Sequence, residues 1–229
     1  MNLETDGQHR AAVLAELLNE RYSCRGFRPD AVPRGTIERI LTMAQRTASW
    51  CNSQAWQVCV ASAQATERLR SELLQHVPQH SPNPDFEWPG YEGVYLQRRR
   101  ECGLQLYRAT GVARGDALAA DRQRLENFRF FGAPHVALIT TNATLGVYGL
   151  VDCGAYVSNF ALAARAMGVA SIAQAALAAY PDFWRERLQL APDRKVVCGI
   201  SFGFEDPGHP ANAFRTSRAS IAQAVTWVD

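Results

Sequence analysis

Two short cationic clusters lie near opposite ends of this 229-residue chain. One reads Arg21-Tyr22-Ser23-Cys24-Arg25-Gly26-Phe27, the other Asn212-Ala213-Phe214-Arg215-Thr216-Ser217-Arg218. Each offers two guanidinium forks with a hydroxyl between them. A planar fork donates two parallel hydrogen bonds, which makes arginine the side chain best suited to gripping a phosphate. Two such clusters suggest one anionic ligand held where the chain ends meet; two solvated surface patches are the plain alternative. A third run, Ser49-Trp50-Cys51-Asn52-Ser53-Gln54-Ala55-Trp56, carries Asn and Ser side chains and free backbone amides. These suit the edge of a planar heterocycle, and an ordinary polar turn with a packed Trp is the alternative.

Other candidate chemistries are weaker. Gly199-Ile200-Ser201-Phe202-Gly203 matches the G-x-S-x-G elbow of serine hydrolases, which needs a strand before the serine and a helix after it. The strand is expected, but Glu205-Asp206-Pro207-Gly208-His209-Pro210 is unfit for a helix. A hydrolase at Ser201 therefore stays a remote alternative. His76 and His80 stand four apart, as a helical metal pair would, but Pro78 lies between them. No G-x-G-x-x-G and no GxxxxGK[ST] occurs, so any nucleotide must be gripped by the arginines. Arg98-Arg99-Arg100 is the only basic triplet, and a net charge of +2 is too small to argue for nucleic acid.

Helical periodicity marks His9–Glu20, Arg34–Arg46, Thr66–Val77, Val94–Thr110, Asp116–Phe130 and Leu150–Met167. Strands are expected at 56–61, 135–141 and 195–204. The stretch from Pro78 to Gly93 is irregular, and Ile221–Val228 reads as a short helix or an extended arm. Helices outnumber strands without regular alternation, which points to an α+β fold with one mixed sheet flanked by long helices. The 150–167 helix is rich in small residues (Gly154, Ala155, Ser158, Ala161, Ala163, Ala164), which permits close approach of another helix. No linker splits the chain, so 1–229 is taken as one domain. No apolar run approaches the ~20 residues of a membrane span. The acidic Met1–Asp6 start does not resemble a secretion signal. Six scattered cysteines without a CxxC pair fit a reduced cytoplasmic protein rather than a zinc site or disulfide scaffold.

The ordered set of motifs resembles the FMN-dependent nitroreductase family, in particular its nitrobenzoate-reductase-like members. Arg21, Ser23, Arg25 and Phe27 are similar to the family's opening Arg-x-Ser-x-Arg/Lys signature with its aromatic. Ser49 through Trp56 resembles its helix-to-strand signature, with alanine at both proline positions, Ala48 and Ala55. Gly203 through Arg218 resembles its closing strand and basic pair, and 127–134 and 168–175 also fit. The resemblance implies an intertwined homodimer with two FMN sites, each built at the subunit interface. It implies that Arg21, Ser23 and Arg218 hold the phosphate and ribityl chain, with Arg215 the weaker candidate. Arg25, with Asn127 or Arg129, would sit at the pyrimidine edge, and Ser49, Trp50, Asn52 and Ser53 would line the ring. The Ala173-Gln174-Ala175 backbone would lie near N5. Trp88, Tyr91, Tyr95 or Tyr107 would cap the pocket or simply pack.

The implied activity is reduction of nitroaromatic or quinone-like acceptors by NAD(P)H in ping-pong turnover. The flavin carries the chemistry, so no catalytic side chain is needed. A non-redox flavin holder or a flavin-fragmenting enzyme on the same scaffold is the alternative.

Overall fold

His135-Val136-Ala137-Leu138-Ile139-Thr140-Thr141 forms the heart of the fold because both of its faces are apolar. A strand of this kind needs cover on each side. In the computed structural model, which describes residues 3–228, it is strand β2 (His135–Asn142), buried at every position but the last. It is flanked by β1 (Trp56–Ser62) and β4 (Arg194–Gly203), and β3 (Ala170–Gln174) closes the far edge in the order β1-β2-β4-β3. All three ladders are antiparallel, pairing Val58 with Ile139, Leu138 with Gly199, and Ile172 with Ser201. The sheet is therefore antiparallel rather than mixed as expected; a parallel pairing occurs only at the isolated Ser23–Ser171 bridge among the described residues. The expected α+β architecture is thus present.

The period-two alternation of β2 divides the core. Ala137 and Ile139 face a layer made by α2 (Arg34–Ala44) and α6 (Gly146–Ala166), where Ile40, Tyr156 and Phe160 are buried. Val136 and Leu138 face the other layer, with α3 (Gln64–His76) and α7 (Pro181–Leu188), where Leu73, Phe130 and Trp184 are buried. Ala163 and Ala164 are consumed by this packing, whereas Gly154 and Ser158 remain open.

Three further helices pack far less. α1 (Leu3–Glu20), α4 (Gly93–Thr110) and α5 (Ala117–Leu125) contain no buried side chain among those described. Val13, Leu14 and Leu18 on α1 and Val94, Tyr95 and Leu104 on α4 face outward.

Several boundaries differ from the sequence reading. α1 begins at Leu3 rather than His9, and α6 begins at Gly146 rather than Leu150. α5 stops at Leu125, and Phe130 and Phe131 adopt left-handed φ values of 56° and 52°, which end any helix there. β3 and α7 were not anticipated. β3 is only five residues long, and α7 opens on Pro181, a residue suited to the first helical turn. The C-terminal arm is irregular apart from one short 3-10 turn, Ile221–Gln223. No described helix is long and apolar enough to cross a membrane. Of the residues read against a secretion signal, Met1 and Asn2 lie outside the described ones.

Candidate functional site

The two cationic clusters meet. After α1 the chain runs along the β3 edge, where the Cys24 amide donates to the Ser171 carbonyl at 3.2 Å. It then crosses to the end of β4, where the Arg28 amide donates to the Phe204 carbonyl at 2.9 Å. The returning C-terminal segment is clipped onto it by Asn212, which is buried. Asn212 Oδ1 accepts from the Arg25 amide at 2.8 Å, and its Nδ2 donates to the Gly26 carbonyl at 2.8 Å and the Asp206 carbonyl at 2.9 Å. Gly26 is required here, because a Cβ would lie 2.1 Å from the His209 ring.

This junction lines a cleft of about 230 Å³ that contains Arg21, Ser23, Arg25, Arg215 and Arg218. A second cleft of about 530 Å³ shares Arg21, Ser23 and Arg218. It continues over Gly154, Ser158 and Ala161 of α6 to Ala173 of β3. The small residues of α6 therefore open a cavity on this side.

The charges in the cleft are uncompensated. No carboxylate lies within ion-pair distance of Arg21, Arg25, Arg215 or Arg218 among the described residues. Burial, and then the positive charge of Arg218, lower the pKa of Arg21. Burial does the same to Arg25, whose Nη1 donates only to the Ser23 carbonyl at 3.2 Å. The partly desolvated Arg21 and Arg25 guanidinium groups are costly without a counter-charge, a cost that an anion in the cleft would relieve. Arg215 is spent differently. Its guanidinium lies 3.5 Å from the Tyr22 ring centroid and donates to the Asn212 and Phe214 carbonyls, which fastens the arm to the N-terminal segment.

The Ser49–Ser53 loop is shaped but stands apart. Cys51, Asn52 and Gln54 all have left-handed φ values near 50°, a conformation that non-glycine residues hold only when surrounding contacts fix it. Asp152 of α6 supplies such contacts, accepting from the Trp50 amide at 3.2 Å and from Ser53 Oγ at 3.1 Å. Ser49 Oγ accepts from the Gln54 amide at 2.9 Å. Trp50 is 55% exposed and meets Tyr148 edge-on at 4.1 Å. None of Ser49, Trp50, Asn52 and Ser53 lines either arginine cleft. Asp152 and Gly154 are two apart on α6, about 200° around the helix, so the loop and the cleft occupy opposite flanks.

The mid-chain residues divide. Ala173 reaches the second cleft, and Ala175 is exposed beside it. The Gln174 side chain turns inward, donating to the Asn127 carbonyl at 2.9 Å and accepting from Ser201 Oγ. Asn127 and Arg129 border neither cleft, and Arg129 pairs with Glu126 at 3.5 Å. Trp88, Tyr91, Tyr95 and Tyr107 also border neither; α4 reaches the first cleft through Cys102.

Two rival sites fail. Ser201 is fully buried mid-strand and paired with Val136 and Ile172, so it has no elbow, no access and no helix after it. The hydrolase reading is overturned by that placement. The His76 and His80 rings stack face to face at 3.7 Å instead of converging on a point. No group of three His, Cys, Asp or Glu among the described residues is placed to hold a metal.

Sequence reasoning missed Asn212 and Asp152 as the residues that assemble the two halves. Each acts on a segment about 100 residues or more away, and no local pattern signals that.

The fold and the paired-arginine cleft define an α+β protein with a cationic cleft where its chain ends meet, and comparison with known proteins gives it a family. The Nitroreductase family model matches residues 18–204, and the chain belongs to that family. It is 35% identical over 221 residues to the nitroreductase NfnB of Mycolicibacterium smegmatis, covering 95% of this chain and 93% of the relative. It is 31% identical to a 4-nitrobenzoate reductase from Nocardioides sp., covering 93% of this chain and 88% of the relative. Among solved structures, the FMN-dependent nitroreductase NfnB from Mycobacterium smegmatis in complex with NADPH superposes with a TM-score of 0.92. That pair is 33% identical, with 96% of this chain and 99% of the other covered.

Proposed function

We propose that this chain is an FMN-dependent oxidoreductase, in one flavin-binding domain, that uses NAD(P)H to reduce nitroaromatic or quinone-like acceptors. The observation that carries the reading is the convergence of Arg21 and Arg218 on one cleft with no carboxylate between them. The donor set fits a phosphorylated flavin: guanidinium forks and the Ser23 hydroxyl for the phosphate and ribityl chain, and Arg25 as a half-buried cation beyond them.

FMN, when bound, supplies the two-electron chemistry, accepting from NAD(P)H and delivering to the acceptor in alternation. The protein's part is positioning and electrostatics. Arg21 and Arg218 would hold the phosphate, with Ser23 donating beside it. Arg25, held by Asn212 through its own amide, would keep positive charge near the flavin's pyrimidine edge, a preorganised arrangement that favours the reduced form. Ala173 near the end of β3 and Ala175 just beyond it leave room for a flat ring, because both side chains are small and the Gln174 side chain turns inward.

The reading includes a homodimer. Ser49, Trp50, Asn52 and Ser53 lie on the flank of α6 away from their own arginines, so they would serve the cleft of the partner subunit. The outward apolar faces of α1 and α4 supply the surface for that pairing. A cytoplasmic setting, with all six thiols free, accompanies the reading.

A visible spectrum tests it. The purified protein is expected to be yellow or to become so with added FMN, and anaerobic NAD(P)H is expected to bleach it. A colourless protein that takes up no FMN refutes the proposal; bound FMN that no nicotinamide reduces leaves only a flavin holder.

A further inference from the structure

The run Gly199-Ile200-Ser201-Phe202-Gly203 imitates a hydrolase elbow, and its small residues have another use. Side chains alternate along a strand, so Gly199, Ser201 and Gly203 share one face of β4. Each must be small. A Cβ on Gly199 would lie 2.3 Å from Leu177 Cδ1, and one on Gly203 would lie 2.6 Å from Pro134 Cδ. Between them the Ser201 hydroxyl is fully buried and donates to Gln174 Oε1.

Gln174 ends β3 and is itself only 3% exposed. Its Nε2 donates to the Asn127 carbonyl at 2.9 Å. That carbonyl also accepts from the Phe130 amide at 3.1 Å, inside the turn where Phe130 and Phe131 hold left-handed φ values. The Phe131 ring centroid lies 6.0 Å from the Arg25 guanidinium. A buried line of hydrogen bonds thus runs from the middle of the sheet to the turn that packs on Arg25. An amide side chain in an apolar layer is costly unless both of its ends are paired. Ser201 supplies the donor for one end and Asn127 the acceptor for the other.

β3 also has a free edge beside the second cleft. The Ser171 carbonyl accepts from the Cys24 amide on that edge, at the bridge to Ser23. Peptide groups alternate with period two, so Ala173 turns its N–H and C=O to the same side, just beyond the bridge. Ala173 lines the second cleft. Its orientation is tied to that of Gln174, because neighbouring side chains point to opposite faces. A Gln174 left unpaired inside gains by turning out to water, which would turn Ala173 inward.

We propose that Ser201 and Gln174 are positioning residues for the flavin, their buried hydrogen bond holding the Ala173 peptide edge and the Arg25 charge in register with one ring. The inference rests on the flavin reading above and adds to it two residues that line neither arginine cleft.

Two measurements test it. The midpoint potential of bound FMN reads the ratio of affinities for its reduced and oxidised forms. Ser201→Ala is expected to lower that ratio about tenfold, a fall of about 30 mV for a two-electron couple. In the FMN-free protein, the same change is expected to speed hydrogen exchange about tenfold at the amides of Ile172 and Gln174, which face β4, and to leave β2 unchanged. Ser201→Cys is close in size with a weaker donor; it should fall between, and it reports if Ser201→Ala does not fold. In a Gln174→Leu background, Ser201→Ala should change neither readout, because the hydroxyl has lost the group it acts through. Parental potential and exchange in both Ser201 variants, equal weakening of both FMN forms, or additive effects in the double variant overturns the assignment. A parent protein that binds no FMN would sink the flavin reading instead. The exchange measurement needs no flavin and would still decide whether Ser201 fixes the end of the strand.

Discussion

At the residue scale, Arg21 and Arg218 carry the argument. They come from positions 197 apart in sequence, yet the positive charge of Arg218 is close enough to lower the Arg21 pKa after burial has begun to do so. Such a pair is frustrated until an anion arrives, and the anion then gains from both. Arg21→Ala and Arg218→Ala are each expected to weaken FMN binding about ten- to a hundredfold, the worth of a charge-assisted hydrogen bond of ~1.5–3 kcal/mol. Fluorescence titration with FMN measures this, and unchanged affinity in both variants refutes the grip. That the two clusters meet was legible in the sequence, because paired arginine forks at both chain ends suit one shared anion. Arg215 was legible only as a charge. Its stacking on Tyr22 depends on the path of the arm, which no local pattern specifies. Asn212 stood inside the quoted motif, but its role lies in amide contacts to Arg25 and Gly26, nearly the whole chain away.

At the element scale, periodicity found the long helices and the buried strands, since burial itself imposes the period. It failed where elements are short or unburied. β3 has five residues of mostly small side chains, and Phe130 and Phe131 continue an apolar pattern that their backbone does not follow. The irregular Pro78–Gly93 segment also has a hidden anchor. Asp85 is nearly buried; Arg185 Nη2 donates to it at 2.5 and 2.7 Å, and the Val196 amide at 2.8 Å. Burial pushes the Asp85 carboxyl up, but the Arg185 hydrogen bonds and the Val196 amide outweigh it and hold the pKa below its ordinary value. A depressed carboxylate stabilises the fold above the unfolded pKa of about 4 and loses that contribution as pH falls through the folded value. Asp85→Asn is therefore expected to destabilise the protein by about 3 kcal/mol at neutral pH, the scale of breaking a buried pair. The gap to the parent protein should close in acid. Urea unfolding of both proteins across pH 3–7 tests this, and a gap independent of pH would contradict it.

At the scale of the whole molecule, the arginine cleft and the Ser49–Ser53 loop of one chain do not face each other. The arginine cleft opens on one flank of α6, and Asp152 braces the Ser49–Ser53 loop on the other. The apolar side chains that remain outside are concentrated on α1, α4, the start of α6 and the C-terminal arm, including Leu14, Leu104, Val147 and Trp227. An 18-residue helix such as α4 with no buried residue gains little from its own chain, and isolated helices of about that length are marginal in water. A second copy would cover these faces and carry its loop to the first copy's arginines, which couples pairing to flavin retention. Leu14→Glu and Leu104→Glu would each place a charge in that contact. Both are expected to shift the protein from dimer to monomer in sedimentation analysis and to release FMN in parallel. Neither residue lines the arginine clefts, so FMN loss would report on assembly rather than on a broken grip. A monomer that retained FMN at parental affinity would show that one chain completes its own site, and the interface reading would fall with it.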